Sequence, residues 1–225
     1  GYSFIGWSGE GIADLNASTT TVDMTQDRNV SASFAIDWHT LLASAGTGGT
    51  VTGSGTFDWN SSVSISATAS VGYQFTGWVG TGINDPGDSN TTVLMTQDRN
   101  ISATFLINSY ALSVSAGSPG GSVSSSGSHN HGTQTTVTAT PQTGYSFFGW
   151  TGDGIADLNA STTTVDMTQD RNVSANFVAG IHTLTVSATS GGTALGDGNF
   201  SYGTDATITT TSGAGYYFVN WSGTG

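Results

Sequence analysis

His129 and His131 stand two apart, and on a strand that spacing puts both imidazoles on one face, a pattern able to hold a metal ion. The chain repeats itself every 71 or 72 residues, so each such candidate can be checked against its copies. Those two positions are Phe57 and Trp59 in one copy and Phe200 and Tyr202 in another. The slot therefore takes a flat ring of any chemistry, and a packing role is expected. His39 and His182 align with Tyr110, which weakens a ligand role there as well. Asp14, Asp85 and Asp157 align in loops, and Asp85 and Asp88 share theirs with Asn84 and Asn90. Calcium takes six to eight oxygens from such loops, so Asp14, Asp85, Asp88 and Asp157 are its candidates. The same residue types also close turns on their own backbone, which is the simpler expectation. Asp27, Asp98 and Asp170 sit beside Arg28, Arg99 and Arg171, as turn residues or surface ion pairs.

Catalysis fails on inventory. No histidine recurs in every copy, cysteine and lysine are absent, and the lone glutamate, Glu10, aligns with Thr81 and Asp153. No enzyme is expected, and no cofactor beyond the calcium candidates. Trp7, Trp78, Trp150 and Trp221 recur with aromatic neighbours. Exposed rings stack on sugars, but a unit of about 70 residues needs large rings in its core, so these four and Phe34, Phe105 and Phe177 are predicted core anchors. Asn16, Asn29, Asn60, Asn90, Asn100, Asn159, Asn172, Asn199 and Asn220 each precede x-Ser or x-Thr and are candidate N-glycosylation sites, which would mark exposed loops.

The elements that position these residues follow from the repeat. Gly-Tyr-x-Phe-x-Gly-Trp begins at Gly1, Gly72 and Gly144 and returns as Gly-Tyr-Tyr-Phe-Val-Asn-Trp at Gly215. Met-Thr-Gln-Asp-Arg-Asn begins at Met24, Met95 and Met167, and Phe34, Phe105 and Phe177 close each unit. Segments 1–34 and 144–177 differ at only four positions, a mark of recent duplication or homogenisation. Each unit opens on an alternating strand (39–45, 110–116, 182–188) in which Leu112, Val114 and Ala116 share one face. A glycine-rich turn follows, then a strand around 63–68, 137–140 or 206–210, the Gly-Tyr-x-Phe strand, and a polar loop (8–18, 79–90, 151–161). A terminal hairpin is predicted, Thr20–Met24 against Val30–Phe34 in the first copy, turned by Gln-Asp-Arg-Asn. A short helical turn at Ile12–Asn16 is the one departure from an all-β reading.

On this phasing residues 38–105 and 109–177 are complete repeats, 1–34 is the C-terminal half of one, and 181–225 the N-terminal half of another. Two arrangements accommodate the halves: a window on a longer array, or chains that complete one another head to tail. The apolar residues of the linkers 35–38, 106–109 and 178–181 predict packing between repeats rather than free hinges.

Composition agrees. The 225 residues include 33 glycines and only 8% charged residues, with 36% apolar content, which suits short strands and many turns rather than disorder. The net charge of −12 offers no footprint for nucleic acid and is repelled by anionic membranes. No apolar run is long enough to span a bilayer as a helix, so membrane insertion is not expected.

The unit Leu-x-Val-x-Ala, Gly-Gly-x-Val, Gly-Tyr-x-Phe-x-Gly-Trp, Val-x-Met-x-x-Asp, Val-x-Ala-x-Phe resembles the divergent InlB B-repeat family, grouped with the Listeria–Bacteroides repeats, over essentially the whole chain. The resemblance implies β-grasp-like or small sandwich modules in secreted surface proteins and adhesins, and no catalytic residues. The absence of lysine and the interrupted loop Asn84–Asn90 depart from it. The expectation is an extracellular structural segment, a stalk or fibre of a cell-surface protein, with neighbouring repeats of the same or an identical chain as partners. Rival expectations are a filament subunit that polymerises by half-domain complementation, and an adhesive module that binds glycans or other cells.

Overall fold

The computed structural model describes residues 1–223 and contains strands and turns, with no helix among them. The chain divides into two compact units, 1–108 and 109–225, each pairing one complete repeat with one half. In the first unit the half repeat supplies β1 (Tyr2–Gly9) and β2 (Val30–Ile36). The complete repeat supplies β3 (Trp38–Ala45), β4 (Gly49–Thr52), β5 (Gly55–Asp58), β6 (Ser61–Ala69), β7 (Tyr73–Val79), β8 (Asn90–Met95) and β9 (Arg99–Ile107). In the second unit the complete repeat comes first, with β10 (Ser109–Ala116), β11 (Gly121–Val123), β12 (Gly127–Asn130), β13 (Gln134–Pro141), β14 (Tyr145–Thr151), β15 (Thr162–Asp166) and β16 (Arg171–Ala179). The half repeat follows with β17 (Ile181–Leu184), β18 (Gly192–Leu195), β19 (Gly198–Ser201) and β20 (Thr209–Ser212).

Each complete repeat is a sandwich of a four-stranded sheet, β5-β3-β9-β7 or β12-β10-β16-β14, and a three-stranded sheet, β4-β6-β8 or β11-β13-β15. Alternation drives this. Along β6 Val63, Ile65 and Ala67 face inward between outward or half-buried serines, and the inward set meets Leu41, Trp78, Ile101 and Ala103 from the opposite sheet. Val93 and Met95 complete a core that excludes water, and Leu112, Val137, Trp150, Val165, Met167, Val173 and Phe177 build its copy. With seven strands in two sheets and no helix, the repeats are small sandwiches rather than helix-bearing grasp modules.

Two expectations are corrected. The Gln-Asp-Arg-Asn segment does not turn a hairpin: β8 pairs with β6 and β9 pairs with β3 and β7, so the chain crosses there from one sheet to the other. The inward residues of the two strands still share one core because the sheets face each other. Residues 12–16 form bends rather than a helical turn, and Ile12 bridges to Val22.

The first and last strands of each complete repeat are parallel neighbours. Leu41 to Ala45 run beside Arg99 to Ala103, and Leu112 to Ala116 beside Arg171 to Ala175. This non-local pairing closes the unit.

One residue, Asp37 or Gly180, separates the last strand of a repeat from the first of the next within each unit. Of the linker residues in these two junctions, Trp38, Val178 and Ile181 are exposed and Ile36 and Ala179 are half-buried. Trp59 and Tyr202 lie over Gly1 and Gly144, where a Cβ would come within 2.6 and 2.2 Å of their rings. Their backbone amides donate to Asp37 and Gly180 carbonyls, both at 2.7 Å. The Asp37 carboxyl is held below the usual carboxylate range, chiefly by the Ser3 hydroxyl.

Candidate functional site

The recurring polar residues are spent on the backbone. Asp14, Asp85, Asp88 and Asp157 each accept an amide hydrogen two residues on, from Asn16, Gly87, Asn90 and Asn159, at 2.8, 2.9, 2.9 and 2.8 Å. These are Asx turns, the simpler of the two expectations for these loops. No group of three His, Asp or Glu side chains converges among the described residues. His129 and His131 occupy the ring slot of β12 and the residue after it, with His131 edge-on to Tyr110 at 6.0 Å between centroids.

The tryptophans are nails rather than platforms in the complete repeats. Trp78 and Trp150 are buried, and their indole N–H groups donate to Asp88 and Ala160 carbonyls at 3.1 and 3.0 Å, fastening the polar loop over the core edge. Phe75 and Phe147 lie against them at 6.0 and 5.9 Å. Their faces are closed to a sugar. All nine sequon asparagines, by contrast, are exposed.

Sequence reasoning missed two contacts that recur in both complete repeats. Asp98 and Asp170 do not pair with their neighbouring arginines. They accept the amide hydrogens of Thr40 and Ala111, each at 2.8 Å, and so fix the opening strand beside the closing one. Arg99 turns the other way, donating to the Leu94 carbonyl at 2.7 Å and to Thr81 and Thr96 hydroxyls at 2.8 and 3.0 Å. Asp170→Ala is expected to cost about 1 kcal/mol and to speed hydrogen exchange at Ala111 while leaving Thr40 unchanged. The second contact is a socket. Gly49 and Gly121 face Phe105 and Phe177 so closely that a Cβ would come within 2.2 Å of either ring. Only comparison of paired non-local strands reveals either contact; Asp27, Asp98 and Asp170 recurring before arginine, and Gly-Gly recurring before the second strand, were the available signals.

Four matches to one family model, the divergent InlB B-repeat domain, tile the sequence at residues 1–37, 39–109, 110–181 and 182–225. The chain belongs to that family. Its repeats are all-β and arrayed in tandem at about 70 residues each. No curated protein and no solved structure matches the chain.

Residues 1–37 and 182–225 each hold half of a B-repeat, and here the predicted core residues part company. Phe34 is 60% exposed and Trp221 is 41% exposed, whereas Trp78, Trp150 and Phe177 are buried and Phe105 and Trp7 are half-buried. Phe34 and Trp221 are therefore not buried here, because residues 1–37 and 182–225 each supply only one half of a sandwich. Met24 is 71% exposed while Met95 and Met167 are fully covered.

Proposed function

We propose that this chain is an extracellular structural segment, part of a stalk or fibre of a cell-surface protein, in which each B-repeat resists stretching. One observation carries the reading: the first and last strands of a complete repeat are adjacent and parallel. A pull on the two ends of such a repeat draws β3 and β9 along their length in opposite directions. The five register pairs from Leu41–Arg99 to Ala45–Ala103 are then loaded together, in shear, rather than opened one at a time. A structural role also suits a chain whose recurring aspartates and arginines bond to the backbone, and membership in a tandem-repeat family associated with cell surfaces supports an extracellular setting. The adhesive reading finds less support, because the rings that would stack on glycans are buried in the complete repeats.

Single-molecule pulling through residues 38 and 108 tests it. At roughly 3.3–3.6 Å per extended residue, one repeat should release about 230–250 Å less its folded span, in a single step. The force should exceed that needed when the handles sit at residues 38 and 58. Those ends belong to the antiparallel pair β3–β5, whose bonds open in sequence. Equal forces in the two geometries would refute a shear clamp.

A further inference from the structure

The four positions at which segments 1–34 and 144–177 differ are Ile5/Phe148, Ser8/Thr151, Glu10/Asp153 and Ser33/Asn176. They are scattered along the chain but not in the fold. Phe148, Thr151 and Asn176 meet at one spot on the outer face of the sheet β12-β10-β16-β14, on neighbouring strands β14 and β16. The remaining difference exchanges one carboxylate for another. Two segments otherwise identical have therefore diverged chiefly at one place on the surface.

A bulge builds that place. β14 pairs Phe147 with Phe177 and Gly149 with Asn176, so Phe148 is the extra residue, and its side chain leaves the sheet 74% exposed. The Asn176 amide nitrogen lies 3.4 Å from the Gly149 carbonyl and 3.5 Å from the Thr151 hydroxyl, long bonds that leave its hydrogens for a better acceptor. Its Oδ1 lies over Gly117, where a Cβ would come within 2.7 Å of it. Ser146, two residues before Phe148, is exposed as well, and none of these side chains is charged. The repeat at 38–108 closes the same place on itself. There Thr76 donates to the Thr104 hydroxyl, which donates to the Gly77 carbonyl, both at 2.9 Å.

We propose that Phe148, Thr151 and Asn176 form a stacking site for a neutral saccharide. An aromatic face is electron-rich, and the C–H bonds along one side of a pyranose ring offer it the complementary positive charge. Sugar hydroxyls meet the Asn176 amide, which both donates and accepts, and the hydroxyls of Thr151 and Ser146. An acidic sugar is disfavoured, because the site holds no cation and the chain carries a net charge of −12. Trp78 and Trp150 are sealed in their cores, whereas this ring is open to solvent. The site adds a ligand to a structural segment and does not rest on how that segment bears load.

The test uses the whole chain and a panel of neutral tetrasaccharides of glucose, mannose, galactose and N-acetylglucosamine, with sialyllactose as the acidic counterpart. Saturation-transfer NMR and titration should show at least one neutral sugar bound at millimolar concentration, and sialyllactose bound more weakly. Phe148→Ile keeps an apolar side chain but removes the flat face, and should weaken binding about tenfold. Phe148→Trp should retain binding, and Asn176→Ser should weaken it about fivefold. The near-identical segment 1–34 carries Ile5 and Ser33 at these two positions, so both weakening variants should keep the native hydrogen exchange of the sandwich. The proposal is overturned if no neutral sugar of the panel binds, or if Phe148→Ile binds as tightly as the unmodified chain. It is also overturned if the ring is instead a contact between copies, seen as association in sedimentation that Phe148→Ile abolishes and no sugar competes away. None of these outcomes bears on the pulling experiment.

Discussion

Met95→Ala and Met167→Ala are each expected to cost their repeat about 2–5 kcal/mol, whereas Met24→Ala should move the stability of the dilute chain by no more than about 0.5 kcal/mol. All three methionines open the same six-residue motif, so nothing local separates them. The difference is cover. Met95 and Met167 are sealed between the two sheets, against side chains of β6 or β13 and of the four-stranded sheet, and truncation leaves a cavity that a close-packed sandwich cannot collapse. Met24 loses only contacts with solvent and its own half. Hydrogen exchange read peptide by peptide in the intact chain is the appropriate measurement, because it assigns stability to each repeat separately. A loss of this size speeds exchange of the repeat's slowest amides roughly 30-fold to several thousand-fold. If the three substitutions behaved alike in dilute solution, the half repeat at 1–37 would have a covered core and the structure's account of it would fail.

The same comparison shows what was legible in the residues. Ser18–Met24 and Ser161–Met167 are identical in sequence, yet the second contains β15 and the first only a bridge from Val22 to Ile12. Strand propensity and alternation mark both as strands, but a strand needs a partner, and β13 is present for one and absent for the other. Period, strand content and the inward faces could be read because side-chain alternation is local. The hairpin at Gln-Asp-Arg-Asn was misread for the same reason: a four-residue turn between two strands most often joins neighbours, and nothing in those residues announces a crossing between sheets. The parallel pairing of β3 with β9 joins residues 58 apart at each register pair and left no trace in local pattern. The Asp98 pin and the Gly49 socket depend on that pairing, so they stayed hidden with it. The indole–carbonyl bond was hidden differently, since Trp150 and Ala160 are separated by a loop whose path composition does not specify.

That bond leads to the second large effect. Trp150→Ala should cost about 3–5 kcal/mol, enough to unfold much of a repeat whose whole margin is of that order. Trp150→Phe separates the two contributions. It keeps most of the ring against Phe147 but removes the N–H that the Ala160 carbonyl accepts at 3.0 Å. Losing one such hydrogen bond costs about 1 kcal/mol, with a little more for the smaller ring. The location of the loss is as diagnostic as its size. Trp150→Phe should loosen the loop 151–161 while the slow-exchanging amides of β13 and β16 stay protected, and Trp150→Ala should release all of them together. The half-buried Trp7 makes the same bond, to Ala17 at 3.0 Å, without an opposite sheet. Trp7→Ala should therefore free its loop at a fraction of the Trp150 cost. If Trp150→Phe instead left the loop's exchange unchanged, the indole would be only a space-filler, and the recurrence of tryptophan at 7, 78, 150 and 221 would need another cause. The expected result makes it a fastener: each repeat spends its largest ring on tying down the one long loop that a sandwich of short strands cannot hold by pairing.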